Sequence, residues 1–310
     1  MTETGLTSER FLSPRMTTYI RKRRAHATEI VRAAVPTEPI HILRWVLTAF
    51  GVIGAMMVVR AVQSSVPGDA LGLLQADPYQ PYTGAQLGGE GAYLYAPIVV
   101  QALAPFRALP GFIDAWRAAE AASLVILAGP FSLAILMVPP SIQELRLANV
   151  NIILGAMIVG GFRWPALWSF VLLTKVTPGI GLLWFVARRE WRHLGIAFAA
   201  TLVLASISFA AAPSAWLDWI ALLVREGSHD LGPGWDVLLP FPLAFRLLVA
   251  AGIVLWGASE DHRWAVIVAA YIALPSTWTT AMTMLIGVIP LAGFEWRSRR
   301  LPGSSIALSS

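Results

Sequence analysis

The chain contains no cysteine, so disulfides, thiolate metal sites and a cysteine nucleophile are excluded. Charge is scarce as well. Asp, Glu, Lys and Arg make up 13% of the residues, against about 25% in soluble domains, too little to cover a water-facing surface. Lysine is nearly missing, with Lys22 and Lys175 its only occurrences. His26, His41, His193, His229 and His262 are scattered and never pair at ligand spacing, so the sequence offers no metal site. It also lacks a glycine-rich phosphate loop ending in Lys-Ser/Thr, a His-Glu-x-x-His pair and a nucleophile elbow. Those absences set aside the common soluble nucleotide, zinc-protease and hydrolase chemistries. Without a base-stacking motif or a basic helix, nucleic acid is not an expected partner.

What is there is apolar. Hydrophobic residues reach 56% and mean hydropathy is +0.64. Thirteen Trp suit the headgroup zone, where an apolar indole body and one N–H are both satisfied. The apolar runs are continuous over about 20 residues, the length of a membrane helix. A transmembrane β-barrel needs short alternating segments instead and is excluded. The sequence therefore predicts an all-α integral membrane protein.

Nine apolar segments can be drawn: 43–63, 94–110, 116–138, 146–161, 164–187, 193–213, 238–257, 264–275 and 277–294. Charge parity reduces the crossings to eight. The basic arm with Arg21, Lys22, Arg23 and Arg24, the patch Arg188-Arg189-Glu190-Trp191-Arg192, and Arg297, Arg299 and Arg300 all read as cytosolic. The segment 94–110, interrupted by Pro97 and Pro105, is then a re-entrant or interfacial helix on the outer face. The expected organisation is a disordered basic cytosolic arm (1–42), a polytopic bundle of about eight transmembrane helices (43–296) and a cytosolic tail (297–310). The first apolar segment starts too late for a cleaved signal and is read as a signal anchor. The protein is expected in the plasma membrane, multi-pass, with both termini cytosolic. Its net charge of +5 reads as orientation and contact with anionic membrane lipids.

This topology leaves two long outer loops. Loop 64–93 carries Asp69, Asp77 and Glu90 without a base, and loop 214–237 carries Asp218, Asp230, Asp236 and His229. The stretch Ala215–Val224 is amphipathic and aromatic, as suits a helix lying in the interface. A carboxylate at the membrane surface can serve as general base toward an acceptor hydroxyl. Asp69, in Val66-Pro67-Gly68-Asp69, and Asp77, in Asp77-Pro78-Tyr79, are the candidates, and both sequences also read as ordinary turns.

Lys175 is the sharper signal. It falls inside the 164–187 segment, read as one helix, with Pro178 close behind. A charge at that depth costs about 2.5–3.5 kcal/mol, so it must face the bundle interior, a partner or an anionic ligand. Structural partners would be acids such as Glu144 or Asp218. Arg60, near the outer end of the first segment, is a second candidate for a lipid phosphate, the alternative being interfacial anchoring. Arg246, inside 238–257, has a headgroup or an acid as its expected partner. Asn149 and Asn151 open the 146–161 helix and are expected to bond across to a neighbour. Trp278, among Thr277, Thr279 and Thr280, can stack on a sugar or join an aromatic belt.

Taken in order, Asp77-Pro78-Tyr79, Tyr95-Ala96-Pro97 with Pro105 and Leu109-Pro110, Asn149-Val150-Asn151, Lys175-Val176-Thr177-Pro178, Arg188–Arg192 and Ala273-Leu274-Pro275 resemble the polyprenol-phosphate-mannose-dependent mannosyltransferases of glycosyltransferase family 87, in the GT-C superfamily. The likeness runs from about Gly51 to Trp296. It departs from the family in a shorter spacing between Asp69 and Asp77, and in Ala148-Asn149-Val150-Asn151 where Gly-Gln-x-Asn is usual. The resemblance implies transfer of a hexose, mannose above all, from a polyprenyl-phosphate donor to a lipid-linked or cell-wall glycan acceptor on the outer face. It implies inversion, a first-loop Asp as base, no cofactor and no metal. On that pattern Lys175 and Arg60 would meet the donor phosphate, and Tyr79, Tyr95, Asn151 and Trp278 would line the substrate. A lipid transporter or flippase, or a non-catalytic scaffold, are the alternatives. A transporter would pair broken helices across two repeats, and the sequence has no such symmetry.

Overall fold

A computed structural model describes residues 39–62, 69–82, 93–227, 239 and 241–293. The arm through residue 38 and the tail from residue 294 lie outside the described residues, as do the loop stretches 63–68, 83–92 and 228–238. The chain divides after Val46 into two units, Met1–Val46 and Leu47–Ser310. In the first, the described part is only the start of α1 (Pro39–Val62).

Every described element is helical and no strand occurs among them. After α1 come α2 (Asp69–Gln75), α3 (Pro97–Arg107), α4 (Phe112–Ala128), α5 (Ser132–Leu136), α6 (Pro139–Leu147) and α7 (Asn151–Gly161). They are followed by α8 (Trp168–Thr174), α9 (Leu183–Ala187), α10 (Trp191–Ala211), α11 (Pro213–Gly227), α12 (Leu243–Ser259) and α13 (Trp264–Ile272). Short 3₁₀ turns at Gly129–Phe131, Pro165–Leu167 and Thr177–Leu182 link neighbours, and a longer 3₁₀ run, Thr279–Gly287, leads into the helical stretch 288–293 that closes the described chain. Proline sets many of the starts. Pro97, Pro139, Pro165, Pro178 and Pro213 stand at the first or second position of their elements, where the missing N–H is not needed.

The architecture is all-α with membrane-type helices, but the expected count of about eight full crossings is not what the described helices display. Two are long and apolar enough to cross a membrane, Phe112–Leu136 and Trp191–Ala211. A third results if α6 and α7, bent by 101° at their break, form one span. Shorter apolar helical stretches of 10–17 residues include Leu243–Ser259 and Thr279–Gly293. The segment 164–187 differs most from its expectation. It is two short α-helices and two 3₁₀ turns, with Lys175 extended (φ −136°, ψ 107°) at the end of α8. Pro178 removes the N–H that would bond back to Thr174, so continuous hydrophobicity conceals a break. In the loop expected at 64–93, a short helix begins at Asp69. The amphipathic stretch 215–224 is helical within α11.

Of the three apolar clusters among the described residues of Leu47–Ser310, two are large. The larger surrounds Trp168, Trp184, Phe185, Val266, Ile267 and Met284; the smaller joins Leu124, Leu127, Leu136, Leu145, Ile152 and Ile286. Lipid tails are as apolar as leucine, so close packing rather than water exclusion holds such helices together. Gly155 on α7 shows how close the approach is. A Cβ there would lie 2.9 Å from the carbonyl oxygen of Met284, a backbone atom that cannot step aside. Gly155→Ala should cost about 1–3 kcal/mol by overpacking. Gly252→Ala, where a Cβ meets nothing within 4 Å, should leave the thermal midpoint in detergent within error of the parent. Equal midpoints for the two variants would contradict the α7 contact.

Candidate functional site

A helix break inside a membrane protein leaves backbone groups that lipid cannot satisfy. Here the breaks recruit the polar side chains. Between α6 and α7 the chain turns at Ala148, held in the left-handed region (φ 50°). On one side of this elbow Arg117, fully buried on α4, donates from Nε to Leu145 O (3.1 Å) and from Nη2 to Arg146 O (2.9 Å). On the other side the fully buried Glu144 faces the first turn of α7. Its Oε1 accepts the backbone N–H of Asn151 (2.7 Å) and of Ile152 (3.3 Å). Its Oε2 accepts the side-chain amides of Asn151 (3.1 Å) and Asn149 (3.2 Å). A carboxylate at a helix N-terminus is favoured by both the orphan donors and the helix dipole.

The network extends in two directions. Asn149 Nδ2 also donates to Thr280 Oγ1 (3.2 Å), next to the turn that holds Trp278. Asn151 Oδ1 accepts from Lys175 Nζ at 2.9 Å. Asn151 thus stands between Glu144 and Lys175, and both asparagines bond across the bundle as expected. Lys175 is half-buried at the break between α8 and the 177–182 turn.

Two residues before Lys175, Leu173 O accepts the N–H of Ala96 (2.9 Å), which fastens the segment 93–96 to this break. Three aromatic side chains secure that segment, each donating to one of three consecutive carbonyls. Trp219 Nε1 bonds Leu94 O (3.2 Å), Tyr82 OH bonds Tyr95 O (2.5 Å) and Tyr93 OH bonds Ala96 O (2.6 Å). Burial raises the Tyr82 phenol well above its ordinary pKa, with Tyr93 and Asp218 adding to the rise. Burial likewise raises Tyr93, against a smaller lowering by the N–H of Val100. Both therefore stay protonated and keep donating.

Of the residues singled out from sequence, Tyr95, Asn151 and Lys175 are joined by this chain of bonds, and Asn149 and Thr280 link it toward Trp278. Tyr95 is buried, whereas Trp278 is 41% exposed. Asp77 serves a turn: its Oδ1 accepts the N–H of Tyr79 (2.7 Å) and of Gln80 (3.0 Å), and Tyr79 points outward, 59% exposed. Asp69 opens α2 and Arg60 lies near the end of α1, but their side chains are outside the described residues. Arg246 is set against backbone carbonyls. It is buried and clamps the carbonyls of Phe241 (2.9 Å), Leu274 (2.5 Å) and Pro275 (2.8 Å). Sequence reasoning missed the roles of Arg117 and Glu144. The signal for Glu144 was an acid shortly before a pair of Asn, and Arg117, on another helix, carried none. Among the described residues no three His, Asp or Glu side chains gather as a metal would require.

The model of glycosyltransferase family 87 matches residues 93–303, so it takes in every element from the 93–96 segment to the Trp278 turn. No curated protein and no solved structure matches the chain.

The raised phenols carry a pH signature. A group whose folded pKa lies above its unfolded value of 10.0 stabilises the fold fully below that pH and loses its contribution as pH rises further. Thermal stability should therefore fall above about pH 10, and Tyr82→Phe with Tyr93→Phe should flatten that fall. An unchanged alkaline slope in the double variant would remove these two phenols from the effect.

Proposed function

The chain belongs to glycosyltransferase family 87, and on that premise we propose that it moves a hexose, mannose above all, from a polyprenyl phosphate to a lipid-linked or cell-wall glycan on the outer face of the plasma membrane. That it is a membrane glycosyltransferase follows from the family match and its apolar helices. The observation that supports the finer reading is the position of Lys175, a half-buried cation at a helix break, held by Asn151 and two residues from the tie to the segment 93–96. A buried cation favours an anionic ligand, and a phosphate offers it charge-assisted hydrogen bonds.

The chemistry is a single displacement. An acceptor hydroxyl oxygen forms a bond to the anomeric carbon as the bond from that carbon to the phosphate oxygen breaks. The hydroxyl proton passes to a carboxylate, and polyprenyl phosphate departs with the electron pair. Phosphate is a good leaving group, so one base and one cation suffice. Lys175 meets the donor phosphate, with Arg60 as a weaker outer partner. Tyr79, Tyr95, Asn151 and Trp278 border the sugar path. Asp69 is the base, and Asp77 is the reserve because its carboxylate already serves a turn. Both termini are cytosolic, and about eight crossings follow where short broken helices combine into spans.

Loss of a general base costs about 10²–10⁴ in rate. Asp69→Asn should lower kcat by that order with donor binding retained, and Asp77→Asn should do less. Transfer of labelled mannose from polyprenyl-phosphate mannose to crude lipid acceptor, with the purified protein in detergent, measures both. A dead Asp77→Asn beside a normal Asp69→Asn would move the base. In the same assay Lys175→Met should raise the donor KM while the protein still folds. A parent protein that transports the donor into vesicles without transferring sugar would overturn the enzyme reading.

A further inference from the structure

The Asn151 side chain has its orientation forced on it. A carboxylate only accepts hydrogen bonds and an ammonium only donates them. With Glu144 Oε2 at 3.1 Å on one side and Lys175 Nζ at 2.9 Å on the other, the amide nitrogen must face Glu144 and the amide oxygen must face Lys175. The charge of Glu144 is not required to cap α7. A glutamine oxygen would accept the backbone N–H groups of Asn151 and Ile152 equally well. What glutamine cannot do is accept at the second position, where the side-chain amides of Asn149 and Asn151 both donate. There its own NH₂ would oppose two others. Asn151 would then relieve the conflict by turning over, which presents its NH₂ to the ammonium and drives Lys175 away.

We propose that Glu144 is a positioning residue for the donor site. Acting through the polarity of Asn151, it fixes where the Lys175 ammonium stands against the donor phosphate. The proposal rests on the reading that Lys175 holds that phosphate. It goes further in naming the acid that sets the cation without touching the donor.

The same logic supplies a rescue, the double variant Glu144→Gln with Asn151→Asp. The introduced glutamine would keep the backbone bonds through its oxygen and donate its NH₂ to the new carboxylate, which would accept from Lys175. Asn149 can turn to accept both from that glutamine and from the Thr280 hydroxyl, since a hydroxyl also donates. Net charge is unchanged.

The test is equilibrium binding of radiolabelled polyprenyl monophosphate to the purified full-length protein, with the thermal midpoint measured on each sample. Lys175→Met and Glu144→Gln should each weaken binding about 10-fold to 100-fold, the range of one hydrogen bond to a charged group. The Glu144→Gln midpoint should stay near the parent's, and the double variant should recover binding to within about threefold. Parent-like binding in Glu144→Gln beside weak binding in Lys175→Met would overturn the positioning role and leave the phosphate reading standing. Parent-like binding in Lys175→Met would overturn the phosphate reading, and the positioning role with it. If Glu144→Gln does not fold, the double variant decides: binding restored upholds the polarity relay, and a double variant that fails to bind or to fold overturns it.

Discussion

Backbone hydrogen bonding in lipid is the constraint on which this structure depends. An unbroken helix meets it internally, but this chain interrupts its helices at 148–150, at 175–176 and between 273 and 278. Each interruption exposes carbonyls or N–H groups that the bilayer cannot serve. The protein answers with buried polar side chains placed opposite the breaks. Arg117 and Glu144 serve the two sides of the α6–α7 elbow, and Arg246 serves the turn after α13. Removing any of these would strand the partner groups as well, at a cost of about 1–3 kcal/mol for each buried group left unsatisfied. Few charges are present, and many of the buried ones have a backbone to satisfy.

The same breaks create the place where chemistry can occur. A continuous helix offers side chains alone, whereas a broken one brings polar side chains and backbone into the apolar interior. The bonds from Ala96 to Leu173, from Lys175 to Asn151, and from Asn149 to Thr280 tie three breaks and the segment 93–96 into one polar line. Along it lie residues from distant parts of the sequence, held by elements of the scaffold rather than by free loops. Precision of that kind is what the proposed site for a lipid-borne phosphate requires.

Much of this is legible in the amino-acid sequence. Scarce charge and continuous apolar runs point to the membrane class, and a lone lysine in an apolar segment marks Lys175. The prolines mark helix starts, because Pro has a position-dependent meaning that one residue carries by itself. What stays hidden depends on the third dimension. Residues 164–187 read as one helix because hydropathy does not register a change from α to 3₁₀ winding. Glu144 reads only as one acid that could pair with Lys175, because its partners at Asn149, Asn151 and Ile152 are assembled only once the chain bends by 101°. Arg246 reads as a cation in need of an acid, since a sequence displays charges and not the carbonyls that a turn leaves open. The order within the Asp pair, Asp69 before Asp77, is legible because Asp77-Pro78-Tyr79 reads as a loop-shaping element, and Asp77 does close its own turn.

The cations sort themselves by what they touch, and this separates scaffold from site. A guanidinium is a rigid fork of five donors, suited to several carbonyls at once, while an ammonium is a compact charge on a flexible stem. Arg107 bonds the carbonyls of Leu73 and Ala76, Arg117 those of Leu145 and Arg146, and Arg246 those of Phe241, Leu274 and Pro275. All three are committed to holding backbone in place. Lys175 differs from these three in both chemistry and contact: its bond goes to a side-chain amide. On the proposed reading, the charge of Lys175 is thereby kept for the donor phosphate rather than for the fold.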